Sequence, residues 1–298
     1  MTSPNCLPPG ASDLAPPHAM AAGIVPLQIG LEQPLHPGHL ALIAARDGAI
    51  AAGPMLVLRA PGASGNGFAA LARGDCDLIL SSPLHVLRPE AQGFEALGCL
   101  MVTRGSGVLV REDRIGKLRA GETIRVASPF SDPVSNGLCR RTLQSWAGSE
   151  GFAVAETQIA VEPAGFGHVD NLQAGFDAAW LAVANVDEIQ ARRRGPAARL
   201  LSAEAAGLPG LSSLELVTRK ARGADEIARH EALIAALEEV TPILRADAGL
   251  ALRLWRVASG DQSEEAEDVV QASLKCLKAP LDRAPGRWRA LKALLQET

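Results

Sequence analysis

Between Ile24 and Leu80 the chain repeats one unit: a short apolar run, a turn of Gly, Pro, His or Ser, and an apolar-periodic helix stopped by glycine. Ile24–Leu31 turns through Pro34–Gly38 into the helical stretch His39–Asp47, which Gly48 closes. Met55–Ala60 leads through Pro61–Gly67 into the helix Phe68–Arg73, Gly74 closes that one, and Cys76–Leu80 is a further apolar run. Apolar runs this short, without alternation, are strands covered on both faces, and strands separated by helices run parallel. Such a chain winds an α/β sheet in which every strand's carboxyl end delivers a loop and a helix start to one common edge.

The pattern continues and then restarts. Gly107–Arg111 reads as a strand, and after the polar segment Glu112–Gly121 come Thr123–Ala127, a Ser/Pro/Asp turn and the helix Val134–Trp146. The strand Thr157–Val161, the turn Glu162–His168, a helix ending at Gly175, the apolar run Ala178–Val186 and the helix Val186–Arg194 follow. Leu214–Thr218 reads as a strand crossing back, and the rest reads as helices: Ala224–Ala246, Gly249–Val257, Ser263–Lys278 and Arg287–Gln296. A chain of 298 residues, 47% of them hydrophobic, has material for two cores. The expected division is a flexible tail over 1–23, a first lobe over 24–118 plus 213–298, and a second lobe over 119–212. A lobe left and later re-entered creates two hinge strands.

Composition narrows the function. A net charge of -4 leaves no basic excess to neutralise a phosphate backbone, so nucleic acid is not an expected partner. Tyr is absent and Phe and Trp number 6 and 4, too few for a site walled by stacked rings. Cys6, Cys76, Cys99, Cys139 and Cys276 form no CxxC pair and read as small core residues of a reducing compartment. No run approaches the ~20 apolar residues of a membrane span. Met1–Gly23 holds five prolines, no Lys or Arg and no apolar run of leader length. A cytoplasmic location is therefore expected, or a periplasmic one if a leader has been removed.

Candidate site residues come from the strand-to-helix turns, where unpaired backbone N–H groups and the helix dipole favour an anion or a polar oxygen. In the first lobe these turns carry Glu32, Gln33, His36 and His39, then Ser64 and Asn66, then Ser81, Ser82 and His85. In the second lobe they carry Ser128, Ser131, Asp132 and Ser135, then Phe166 and His168, with Trp180 on the following strand. For the Ser, Asn and Asp residues, helix capping and ligand contact both stand open. Trp180 reads equally as a ligand wall or a core residue. Zinc ligation by Glu32, His36 and His39 lacks the i, i+4 register of helical zinc motifs, and no metal is expected.

The segments "LQIGLEQPLHPGHLALIAARDG", "APGASGNGFAALARGDCDLILSSPLHVL", "GSGVLVRED", "TIRVASPFSDPVSNGLCRRTL" and "LQAGFDAAWLAVANVDEI", in this order, resemble the periplasmic binding proteins for aliphatic sulfonates, nitrate and taurine, and the thiamine-pyrimidine synthases that share their fold. The resemblance implies a type II periplasmic-binding fold, two wound α/β lobes joined by two hinge strands with a helical C-terminal region, and a ligand held between the lobes. It also implies where a synthase would carry its chemistry. The lysine that holds pyridoxal phosphate falls at Ser81 and the reactive histidine at His85, while Glu32 replaces an aromatic residue and Leu35 stands where a desulfinase places its cysteine. No Schiff base can form at Ser81, and no cofactor is expected.

Two functions remain. One is binding of a polar or anionic metabolite such as a sulfonate, pyrimidine or aromatic acid, with an ABC-transporter permease as partner if the chain is exported. The other is a cytosolic enzyme of the same fold, related to thiamine-pyrimidine synthase, desulfinase or decarboxylase, with His85 moving a proton. A homodimer is an open assembly in either case.

Overall fold

The computed structural model describes residues 13–14, 25–49, 53–60, 67–103, 105–130 and 132–297. They divide into two compact units: a first, made of the described residues up to Val102 with Ser213–Ala284, and a second, Thr103–Ser212 with the described residues from Pro285 on.

The first unit opens with β1 (Asp13–Leu14), β2 (Leu27–Leu31), α1 (Leu40–Arg46), β3 (Leu56–Arg59), α2 (Gly67–Arg73), β4 (Leu78–Ser81), α3 (Pro83–Val86) and β5 (Phe94–Val102). β1 pairs antiparallel with Leu58 and Arg59, so two residues of the expected tail are a strand; the rest of 1–23 lies outside the described residues. All seven residues of α1, LALIAAR, are buried, as suits a helix apolar on every side and packed by later helices.

The second unit holds β6 (Ser106–Arg111), α4 (Ile115–Arg119), β7 (Ile124–Ser128), α5 (Pro133–Ser149), β8 (Ile159–Pro163), α6 (His168–Gln173), β9 (Ala178–Val183), a π turn at Ala184–Glu188, α7 (Ile189–Arg194) and β10 (Ala198–Ser202). Its sheet runs β10-β6-β9-β7-β8. Gly107 of β6 lies so close to β10 that a Cβ there would stand 2.1 Å from the Leu201 carbonyl oxygen. Across β6, the β9 register shifts between Gly107 and Val108, and the extra residue, Leu181, takes a left-handed backbone at φ 64°.

The chain then re-enters the first unit through β11 (Ser213–Arg219), α8 (Ala224–Ala246), α9 (Ala248–Ser259), α10 (Ala266–Leu274) and β12 (Leu277–Asp282), and ends with α11 (Arg289–Gln296) in the second. The first unit's sheet runs β1-β3-β2-β4-β11-β5-β12, and β11 is antiparallel to both its neighbours.

The structure departs from the sequence expectations at named places. β6, expected in the first lobe, pairs with β9 and β10, so the crossing falls at Val102/Thr103 rather than after residue 118. The last fourteen residues also belong with the second unit, where Glu297 pairs with Arg141 at 3.4 Å. The expected helix Ser263–Lys278 ends at Leu274, and the next residues become β12, an edge strand on β5. No expectation named β5 or β10; both pair antiparallel with strands distant in sequence.

Candidate functional site

In the first unit, β2 and β4 are parallel neighbours with Leu31 opposite Leu80, so Glu32, just past β2, and Ser81, the last residue of β4, lie side by side. Ser82 then caps α3, accepting from the Leu84 N–H at 3.2 Å, and Pro83 starts the helix. One helical turn beyond Ser81, His85 swings back to the same place. The Ser81 hydroxyl donates to Glu32 Oε2 at 2.6 Å, and His85 Nδ1 lies 3.0 Å from that oxygen. The Glu32 side chain is 5% exposed and the His85 ring 16%. Glu32 Oε1 lies toward α2, where a Cβ on Gly67 would stand 2.9 Å away.

His36 and His39 serve their own turn. His36 Nδ1 accepts from the Gly38 N–H, and the His36 N–H donates to His39 Nδ1, both at 3.1 Å. Burial, with His36 beside it, holds the His39 imidazole well below the ordinary histidine range. Gln33 is half-buried beside them. Ser64 and Asn66 lie outside the described residues.

In the second unit, most of the expected ligand groups are occupied by the fold. Asp132 caps α5 through the Ser135 N–H at 2.9 Å. Ser128 is fully buried and donates to the Phe130 carbonyl at 2.6 Å. Trp180 is also fully buried, and its indole N–H donates to the Ser135 hydroxyl at 2.9 Å. Trp180 and Ser135 are thus buried against each other. Phe166 is half-buried and meets Phe130 edge to face at 5.6 Å. Ser131 lies outside the described residues.

His168 is buried against Asp187 at 2.9 Å, and the second Asp187 oxygen accepts from the Val183 N–H at 2.7 Å. Burial opposes the charged imidazole, but Asp187 and the Trp180 carbonyl together carry His168 above the ordinary histidine range. Of the four turn histidines, three lie in the first unit and His168 in the second. Among the described residues no group of three or more His, Cys, Asp or Glu could hold a metal ion. Sequence reasoning missed Gly67 as the neighbour of Glu32, Phe130 as the partner of Phe166, and Asp187 as the partner of His168. Only Gly67 left a signal, a glycine opening a helix.

The sequence matches no protein-family profile and no curated protein. Its structure, however, has the type II periplasmic-binding fold of ligand-binding components of ABC-type import systems. Similar solved chains include the alkanesulfonate-binding protein SsuA of Xanthomonas axonopodis pv. citri, at 16% identity, covering 93% of each chain with a TM-score of 0.63. The periplasmic aliphatic sulphonate binding protein SsuA of Escherichia coli is also 16% identical, with 91% of each chain covered and a TM-score of 0.64. The periplasmic nitrate-binding protein NrtA of Synechocystis PCC 6803 is 13% identical, covering 84% of this chain and 70% of its own, at 0.57.

Proposed function

We propose that this chain binds a small polar molecule at the carboxyl edge of the first unit's sheet, around Glu32, Ser81 and His85. The observation that carries this is their convergence: three polar side chains from two strand ends and a helix meet on one carboxylate oxygen. Fold neighbours that bind sulfonates and nitrate support a binding role, and their periplasmic setting supports export and an ABC permease as partner. No helix among the described residues is long and apolar enough to cross a membrane.

The test is thermal unfolding against a panel of sulfonates, nitrate, aromatic acids, pyrimidines, amines and amidines. A ligand at 100 times its Kd stabilises the folded form by about 2.7 kcal/mol, a shift of about 5–11 °C for a domain of 150–250 residues. Failure of every compound to raise Tm refutes the binding role.

A catalytic reading is favoured by one specific contact, the 3.0 Å approach of Glu32 Oε2 to His85 Nδ1, a carboxylate–imidazole pair of the kind that transfers protons. Ser81, at the position of the synthase lysine, spends its hydroxyl on the same carboxylate. Turnover of a panel compound by the wild type, lost in His85→Ala while binding persists, selects the enzyme; unchanged ligand selects the binder.

A further inference from the structure

A carboxylate beside an oxyanion repels it, most strongly where water is excluded. The Glu32 side chain is 5% exposed, and among the described residues its one ion-pair partner is His85. With Glu32 ionised, that pair carries no charge or one negative charge, whichever protonation state the imidazole takes. It is never positive.

Several backbone donors at two turns of this edge are already spent. An oxyanion seated at strand-to-helix turns needs free N–H groups. At the first turn the N–H groups of His36 and Gly38 go to histidine Nδ1 atoms, and that of His39 goes to the His36 carbonyl at 2.9 Å. At the α3 turn the Leu84 N–H goes to the Ser82 hydroxyl, and those of His85 and Val86 go to the Ser82 carbonyl at 3.0 and 3.1 Å. What the edge offers instead is an acceptor. Both Glu32 contacts fall on Oε2, while Oε1 accepts no hydrogen bond among the described residues and lies against the bare Cα of Gly67.

We propose that this site takes an N–H donor group of its ligand, an amine, an amidine or an amino-substituted nitrogen heterocycle. Glu32 Oε1 is the acceptor, and Gly67, having no Cβ, lets the carboxylate lie where it does. The inference rests on the binding function proposed above and deepens it: Glu32 determines specificity, and ligands that are only oxyanions are turned away. This departs from the sequence expectation that turns of this kind favour an anion, because at the turns before α1 and α3 side-chain and backbone caps have taken up the donors named above.

Calorimetric titration of the panel compounds that raise Tm decides the matter, with benzamidine and 2-aminopyridine set against their ring-matched anions benzoate and benzenesulfonate. The wild type is expected to bind its tightest N–H donor at least tenfold more strongly than any oxyanion lacking one. Glu32→Gln is expected to weaken that donor at least tenfold, and Gly67→Ala to weaken it through the displaced carboxylate. The wild-type ranking needs no variant, so it stands even if Glu32→Gln misfolds. A sulfonate, nitrate or carboxylate without an N–H group as the tightest ligand overturns the inference while the binding function survives. A folded Glu32→Gln that loses less than tenfold overturns it as well. No binding by any compound removes the binding function itself and this inference with it.

Discussion

Breaking the His168–Asp187 pair tests how the second unit ties α6 to the π turn after β9. Their side chains are 5% and 7% exposed, so each charge depends on the other and on what else it touches. When His168→Gln removes the imidazole, Asp187 keeps the Val183 N–H at 2.7 Å but loses its only ion-pair partner among the described residues. Stranding one member of a buried pair costs about 3–5 kcal/mol. The His168 pKa is raised in the fold, so the protonated form is the one stabilised. That stability is fully present below the unfolded histidine value of about 6.5 and fades as pH rises through the folded value. The assay is urea unfolding at pH 6 and pH 9 followed by tryptophan fluorescence, since Trp146, Trp180 and Trp288 belong to the second unit and Trp255 to the first. His168→Gln and Asp187→Asn should each lower stability by several kcal/mol at pH 6, with coupling above about 1 kcal/mol in the double variant. The gap between wild type and His168→Gln should narrow at pH 9. A loss under 1 kcal/mol in both single variants, or a gap that does not change with pH, refutes the account.

Gly107→Ala should destabilise the second unit by about 3 kcal/mol in a denaturant titration, because the new Cβ meets a backbone carbonyl that no side-chain rotation can move. Ser135→Ala leaves the buried Trp180 indole N–H without its acceptor and should cost about 1–3 kcal/mol, with a shift in tryptophan emission. Asp132→Ala removes the α5 cap and should cost about 1 kcal/mol by the same titration. Burial beside Glu215 pushes the Cys99 thiol up to about 12, and complete burial raises that of Cys139, so neither should react with a thiol reagent at pH 8 until the chain is unfolded.

The winding was legible because its signals are local. Leu27–Leu31 and Leu78–Ser81 carry the apolar density of covered strands, and Gly48 and Gly74, at φ 75° and 78°, stop helices with a backbone that other residues rarely adopt. β12 was not legible in the same way. Cys276, Leu277 and Leu281 also fit helical spacing, and only pairing with β5, far earlier in the chain, makes a strand of them. At the site, Glu32, Ser81 and His85 could be named one by one, since each follows a strand or begins a helix. Which donor meets which acceptor is a question of side-chain geometry. The same Ser and Asp types resolved differently at each turn: Ser82 and Asp132 became caps, Ser135 took an indole N–H, and Ser81 gave its hydroxyl to Glu32. Trp180 has no polar neighbour in sequence to reveal that its indole ends on Ser135, forty-five positions away.

The position of β11 has a consequence for synthesis. It sits between β4 and β5, yet it follows them by more than a hundred residues. A nascent chain that has emerged only as far as Val102 holds β4 and β5 with a gap between them, each presenting an open row of amides and carbonyls. The intervening unit can close on itself meanwhile, because its five strands all lie within 106–202. The inserted half can therefore close its sheet first, lacking only α11, while the flanking half completes its sheet only when the late strand slots into the vacancy, so premature release from the ribosome leaves the flanking sheet itself split.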